Sequence, residues 1–260
     1  MSQSLVLSPR ECQGKTWHPP QDLAFAQHRA LIPLHAGELA KAAAAMPLSA
    51  VKEGREWRLV GVCGLEGGHN LFIRQGQWLG HYRPEWLVSW PFEIVSVGEK
   101  GLVAFDRDSG LLAEGGQAGE ESAEPFFDDQ GQMTEAVATR VEALKAAYRK
   151  QQTTQKALQA LAKAKVLTPW PETLRSQLGL SIEGLHMVDE KALAQLDDGA
   201  FLSLRKAQAL PIAYALNLSI PQTHLLVRLA RMNPAQAEAP ETLDSFFGDD
   251  DEEFSFDFDS

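Results

Sequence analysis

Imidazole is the side chain best suited to acid–base work or metal ligation near neutral pH. Five of the seven histidines in this chain fall early, at His18, His28, His35, His69 and His81, with Glu38, Cys63 and Glu66 among them. Imidazole, carboxylate and thiolate together make a ligand set for a transition metal, and the candidate ligands are His35, His69, His81 and Glu66. Spacing gives this set little support. His28 and His35 are seven apart, whereas two ligands on one helical face sit about four apart, and the chain contains no HExxH or CxxC. Gly64–Asn70 (GLEGGHN) is glycine-rich without forming GxGxxG or a phosphate loop, and a strand pattern follows it where a phosphate cradle needs a helix N-terminus. It reads as a tight hairpin. Asp106–Gly110 (DRDSG) has carboxylates for calcium but lacks the length and the closing glutamate of an EF-hand loop, and turn chemistry accounts for it. Cys63, inside VGVCGL, reads as a buried strand residue because no base accompanies it. No GxSxG elbow is present. Trp78, Trp86 and Trp90 cluster in sequence and read as core before a stacking surface.

The elements that must position these groups follow from pattern. Residues 1–22, with Pro9, Gly14, Pro19 and Pro20, predict an irregular arm. Ala36–Met46 predicts a short helix, weakened at Gly37, favoured by Ala42–Ala45 and stopped by Pro47. From Trp57 to Leu112, alternating and β-branched runs broken by Gly67-Gly68, Gln75-Gly76 and 98–101 predict an antiparallel meander of about five strands. Residues 114–124 read as a flexible acidic loop. Val137, Val141, Leu144 and Tyr148 then recur at helical spacing, resuming at Leu158 and Leu161, which predicts one long helix to about Ala164 or two with a weak joint. Asp189 is placed to cap a short helix through Leu196, and Ala200–Ala209 and Thr223–Met232 are two further amphipathic segments. The expected class is α+β. A single domain spans 1–232, β-rich over 50–113 and helical over 133–232, and a tail occupies 233–260.

The net charge of −11 is not spread over the chain. Arg231 is the last basic residue, and the ten acids beyond it leave residues 1–231 at −1. Neither part offers the basic footprint of a nucleic-acid binder. Five of the twelve phenylalanines lie in the last fifteen residues, at Phe246, Phe247, Phe254, Phe256 and Phe258, interleaved with acids. Dense like charge with few aliphatic residues predicts a disordered tail. Three readings of it stay open: a solubilising tail whose rings are incidental, a partner-binding motif in which rings dock in apolar pockets and carboxylates meet a basic rim, and a tail that covers a basic groove on its own body. The longest apolar stretch, Ala209–Ile220, is 12 residues and holds Asn217 and Ser219, short of the roughly 18 needed to span a bilayer. With no secretory h-region at the N-terminus and two cysteines, Cys12 and Cys63, the expectation is a cytoplasmic protein with free thiols.

Several blocks in consistent order resemble the SapC family. They are FAQHRALIPLHAGELAKAAAAMPL (Phe25–Leu48), LVGVCGLEGGHNLFI (Leu59–Ile73), DRDSGLL (Asp106–Leu112), EPFFDDQG (Glu124–Gly131), TPWP (Thr168–Pro171) and LHMVDEKALAQLDD (Leu185–Asp198). The likeness runs from about Phe25 to about Leu226 and leaves the tail outside. It implies a role tied to bacterial surface-layer (S-layer) or envelope protein biogenesis, and it brings no catalytic residues. A peptide-transporter permease of the same name is excluded by the lack of membrane spans. The leading expectation is an accessory or interaction protein whose acidic aromatic tail reaches a protein partner. One alternative is an enzyme of unrecognised type, metal-dependent and acting on a peptide or protein, drawing on His18, His28, His35, Glu66, His69, His81 and Asp108. Another is a non-catalytic module with a tryptophan-lined pocket for a small ligand.

Overall fold

The computed structural model describes residues 4–97, 100–114 and 123–232. The acidic stretch 115–122, positions 98–99 of the predicted turn and the C-terminal segment carrying Phe246, Phe247, Phe254, Phe256 and Phe258 lie outside the described residues. In chain order the strands are β1 (Ser4–Val6), β2 (Lys15–Trp17), β3 (Leu31–Leu34), β4 (Leu48–Glu53), β5 (Glu56–Val62), β6 (Ile73–Arg74), β7 (Gln77–Trp78), β8 (Phe92–Val97), β9 (Lys100–Asp106), β10 (Leu112–Glu114), β11 (Glu124–Pro125), β12 (Leu167–Pro169) and β13 (His186–Val188). The helices are α1 (Leu39–Ala43), α2 (Trp86–Ser89), α3 (Glu135–Lys163), α4 (Glu172–Leu178), α5 (Glu190–Ala194), α6 (Asp198–Lys206), α7 (Leu210–Leu218) and α8 (Thr223–Arg231).

The α+β class and the antiparallel pairing are as the pattern predicts, with strands leading and helices following. The single meander over Trp57–Leu112 does not form. Its strands are shared among a five-stranded sheet of order β12-β13-β4-β5-β3, a β6-β7 ribbon, a β1-β9-β8 sheet and a β10-β2-β11 sheet. Alternation reports which face of a strand is buried and says nothing about which strand lies beside it. The arm expected to be irregular supplies two of the missing partners, β1 against β9 and β2 against β10. The Gly64–Asn70 segment is likewise no hairpin between paired strands. It is a connector closed by the Leu71 N–H donating to the Cys63 carbonyl at 2.7 Å. A Cβ at Gly64 would sit 2.1 Å from the His69 carbonyl oxygen, so the close approach of these two backbones requires glycine. Cys63 itself is fully buried, one residue beyond the end of β5.

The long helical pattern forms one continuous helix, α3, of 29 residues. At 1.5 Å per residue it is about 43 Å long. Glu135 in its first turn and Lys163 in its last complement the helix dipole. Its buried side chains fall in two groups, Val137 and Val141 near one end and Thr154, Ala157, Leu158 and Leu161 near the other. Each group belongs to a different hydrophobic core. The first joins Trp17, Phe92, Phe105 and Phe126 between the two small sheets. The second joins Leu34, Leu48, Leu59, Ile212, Leu216 and others between the five-stranded sheet and helices α1, α6, α7 and α8. Tyr148, expected on the buried stripe, falls between the groups and is exposed. Asp189 caps α5 as predicted, its Oδ1 accepting from the Ala192 N–H at 3.0 Å, and Asp197 does the same for α6 through Ala200.

Candidate functional site

Between the two cores, where α3 buries nothing apolar, charged and polar side chains converge. β3 ends at Leu34, and His35 follows in an extended conformation that starts the tight turn Ala36–Glu38. The turn folds the Glu38 side chain back so that Oε2 accepts the His35 backbone N–H at 3.1 Å. Its other oxygen, Oε1, accepts from the Tyr82 hydroxyl at 2.7 Å and from the Glu85 N–H at 2.8 Å. Glu38 is 2% exposed, and both its oxygens are engaged. A buried carboxylate is tolerated only with such a set of donors. The segment before α2 is thereby tied to the β3–α1 connection.

The His35 ring, 3% exposed, donates from Nε2 to Glu85 Oε2 at 3.0 Å, with Glu38 Oε2 at 3.5 Å. Lys150 Nζ of α3 lies 3.4 Å from the same Glu85 oxygen. A turn below, the Thr154 hydroxyl accepts the Ala36 N–H at 2.8 Å and donates to the Lys150 carbonyl. Three elements thus meet at Glu85 Oε2 and Thr154 Oγ1. Gly37 sits over the junction: a Cβ there would lie 3.1 Å from Lys150 Cδ and 3.2 Å from His35 Nδ1. The residue that weakens the helix propensity of this segment is the one that lets it close over the imidazole. Burial raises the Glu85 carboxyl, but the hydrogen bond and charge of His35, with Lys150 beside it, outweigh that and hold it below the ordinary glutamate value. Burial and the bond to Glu38 push the Tyr82 phenol up.

What this arrangement can do follows from which atoms are reachable. With Nε2–H committed to Glu85, the ring nitrogen left for proton transfer is Nδ1, which is buried and has no hydrogen-bond partner. No substrate proton can reach it in this conformation, and the neighbouring Thr154 hydroxyl already makes both of its bonds. The cluster is a clamp that fixes α3 and α2 against the β3–α1 turn.

Of the residues singled out from sequence, the structure brings His35 and Glu38 into this cluster and places the others elsewhere. Glu66 is exposed and His69 half-buried on the Cys63–Leu71 connector, where the exposed His28 donates from Nδ1 to the Gly68 carbonyl at 3.1 Å. His81 is exposed just before Tyr82. Asp108 lies in the turn at Arg107–Ser109, capped by Asp106 Oδ1 as turn chemistry predicts. Among the described residues no three histidine, cysteine, aspartate or glutamate side chains are grouped to hold a metal ion. Burial raises the thiols of Cys12 and Cys63, which opposes nucleophilic use of either. Sequence reasoning missed Tyr82, Glu85, Lys150 and Thr154. The one local signal was Glu38 three residues after His35, the spacing at which a side chain returns to cap its own turn.

A second feature is apolar. On the C-terminal helices Tyr214 is 50% exposed and Leu218 75%, with Phe201 and Leu202 also exposed. Phe201 and Tyr214 face a groove of about 360 Å³ whose walls include Val188, Leu193 and Ala194. Among the described residues Glu190 is the only charged one lining it. Among the described residues no helix is long and apolar enough to cross a membrane.

The family model for SapC matches residues 7–226. This chain belongs to the SapC family. The match begins ahead of Phe25, just after β1, takes in most of both cores, and includes His35, Glu38, Tyr82, Glu85 and Lys150. It ends within α8, so the ten C-terminal acids lie beyond the part that defines the family. No curated protein and no solved structure matches the chain.

Proposed function

We propose that this SapC-family chain is a non-catalytic accessory protein that binds a protein partner in the cytoplasm, in the service of surface-layer or envelope protein biogenesis. The observation that carries the reading is the groove faced by the exposed Phe201 and Tyr214, with Leu218 exposed one turn further along α7. A ring and an aliphatic side chain left in water beside a cavity are what a partner contact requires. The acidic phenylalanine segment with Phe246, Phe247, Phe254, Phe256 and Phe258 begins just after α8 and adds anchors of the same kind. Glu190 at the groove and the ten tail acids give the contacts one sign, so the partner presents an apolar segment flanked by lysine or arginine. Capture of one identified partner by the full chain should be lost on deleting 233–260 and weakened about tenfold by Tyr214→Asp. Capture unchanged by both ends the proposal.

A second reading, a metal-dependent enzyme acting on a peptide or protein, is favoured by one observation, the unsatisfied buried Nδ1 of His35 on a ring whose Nε2 faces the carboxylates of Glu38 and Glu85. Elemental analysis of protein purified without chelator decides it. Near-stoichiometric zinc, iron or manganese that disappears with His35→Ala supports the enzyme, and metal-free protein removes it.

A further inference from the structure

The segment that joins the clamp to α2 also walls a second pocket, and its chemistry differs from that of the groove on α7. This pocket, of about 340 Å³, is lined by Leu23, Phe25, Trp78 and Leu87 together with Arg83 and Arg140. Arg83 is exposed and has no ion pair among the described residues. Arg140 rises from α3 with its guanidinium 5.2 Å over the Trp17 ring, one bond from Nη1 to the Ala136 carbonyl, and a buried Nε with no partner. Among the described residues the single acid in the wall, Asp22, already accepts the Ala24 N–H at 2.9 Å. Two arginines over an aromatic and aliphatic floor call for a ligand with rings and carboxylates in alternation.

We propose that this pocket is the docking site of the chain's own C-terminal segment, and that Phe246, Phe247 or the Phe254–Phe258 run seats a ring on Phe25 and Trp78 while neighbouring acids meet Arg83 and Arg140. The inference rests on the reading of that segment as a binding element and makes its own body the first partner it meets. Charge decides the location. The α7 groove is lined by Glu190 and no cation, and repels the acids. The cavity beside Arg55 and Lys156 has cations but is otherwise lined by glutamine and glutamate, and offers no ring a surface. Length does not restrict the choice. About 14 residues separate Met232 from Phe246, and at roughly 3.3 Å per residue they reach about 46 Å. A body of this size has a radius of gyration near 17 Å. A tether of this kind holds the segment at an effective concentration on the order of millimolar. A docked tail is then the resting state, and the partner must displace it.

The test uses a fluorescein-labelled synthetic peptide of residues 243–260 and the full chain with all five tail phenylalanines changed to alanine, which vacates the pocket. The peptide should bind this chain and bind the unaltered chain at least about tenfold more weakly, because the tethered segment competes. Adding Arg83→Glu to the vacated chain should weaken binding at least about tenfold, with Val88→Asp at the pocket rim as an independent check. Amide exchange over 23–25, 77–78 and 83–88 should be slower in the unaltered chain than in the five-alanine chain. Absence of peptide binding, equal binding to both chains, or indifference to Arg83→Glu and Val88→Asp overturns the inference. Partner capture that depends on 233–260 without peptide binding at the pocket defeats this inference alone. Peptide binding with capture unaffected by the deletion defeats the partner reading alone.

Discussion

At one end of α3 the core is mostly aliphatic and drawn from many elements, with leucine, isoleucine, valine and alanine from β3, β4, β5, α1, α6, α7 and α8 interleaved and Phe72 and Trp170 among them. At the other end four aromatic rings, Trp17, Phe92, Phe105 and Phe126, pack at centroid distances of 5.1–6.4 Å, mostly edge to face, with Leu5, Cys12, Val137 and Val141 around them. The difference teaches where each core keeps its stability. A large aliphatic core distributes burial, so neighbours relax around a lost methylene. A small core, with two of its rings from β8 and β9 and one from the three-residue β2, depends on each ring, since edge-to-face geometry adds to burial. The polar clamp lies between them, where α3 has surface for neither, and there hydrogen bonds do the fixing that packing does elsewhere.

Changes that break the aromatic end should be the most damaging. Phe105→Ala is expected to cost about 3–5 kcal/mol, against about 2–4 kcal/mol for Leu216→Ala in the aliphatic core, read from urea unfolding midpoints. Equal losses, or the reverse order, would dissolve the contrast. Next is the clamp. Glu38→Gln keeps the size but turns an amide NH₂ toward one of the donors that now bond a carboxylate oxygen, and should cost about 1–3 kcal/mol. Because the clamp bridges the cores, its loss should separate the near-UV signal of the aromatic end from global unfolding. Coincident transitions would show that the two ends do not depend on it. Gly37→Ala should cost about 1 kcal/mol, since the new methyl presses on the buried His35 ring and on the flexible stem of Lys150.

The smallest effect is electrostatic. Glu85 is held below its ordinary value of 4.5 in the fold, so its contribution is fully present above the unfolded value and is lost as pH falls through the folded one. Both Glu85 and Lys150 are more than two-fifths exposed, which limits the gain to at most about 1 kcal/mol. Thermal midpoints of the unaltered chain should therefore fall more steeply below pH 4.5 than those of Glu85→Gln. Parallel curves would remove Glu85 from the acid response.

Local chemistry made much of this molecule legible. Asp189 as a cap, the helical spacing of Val137, Val141, Leu158 and Leu161, the alternation of 92–97 and the ordered family blocks each depend on residues close in sequence. So does the division of charge, with ten acids beyond Arg231 and a body at −1. What the chain alone left open is which surfaces meet. β5 lies between β3 and β4 while β13 reaches β4 from beyond α3, and periodicity specifies a buried face without naming its partner. The clamp shows the same limit. His35 and Glu85 are 50 residues apart and Glu85 and Lys150 65 apart, so no spacing rule joins them. Only the packing of α3 across both cores brings three separately ordinary residues to one carboxylate oxygen. The short range of hydrogen bonds and ion pairs makes such a site a property of the tertiary structure.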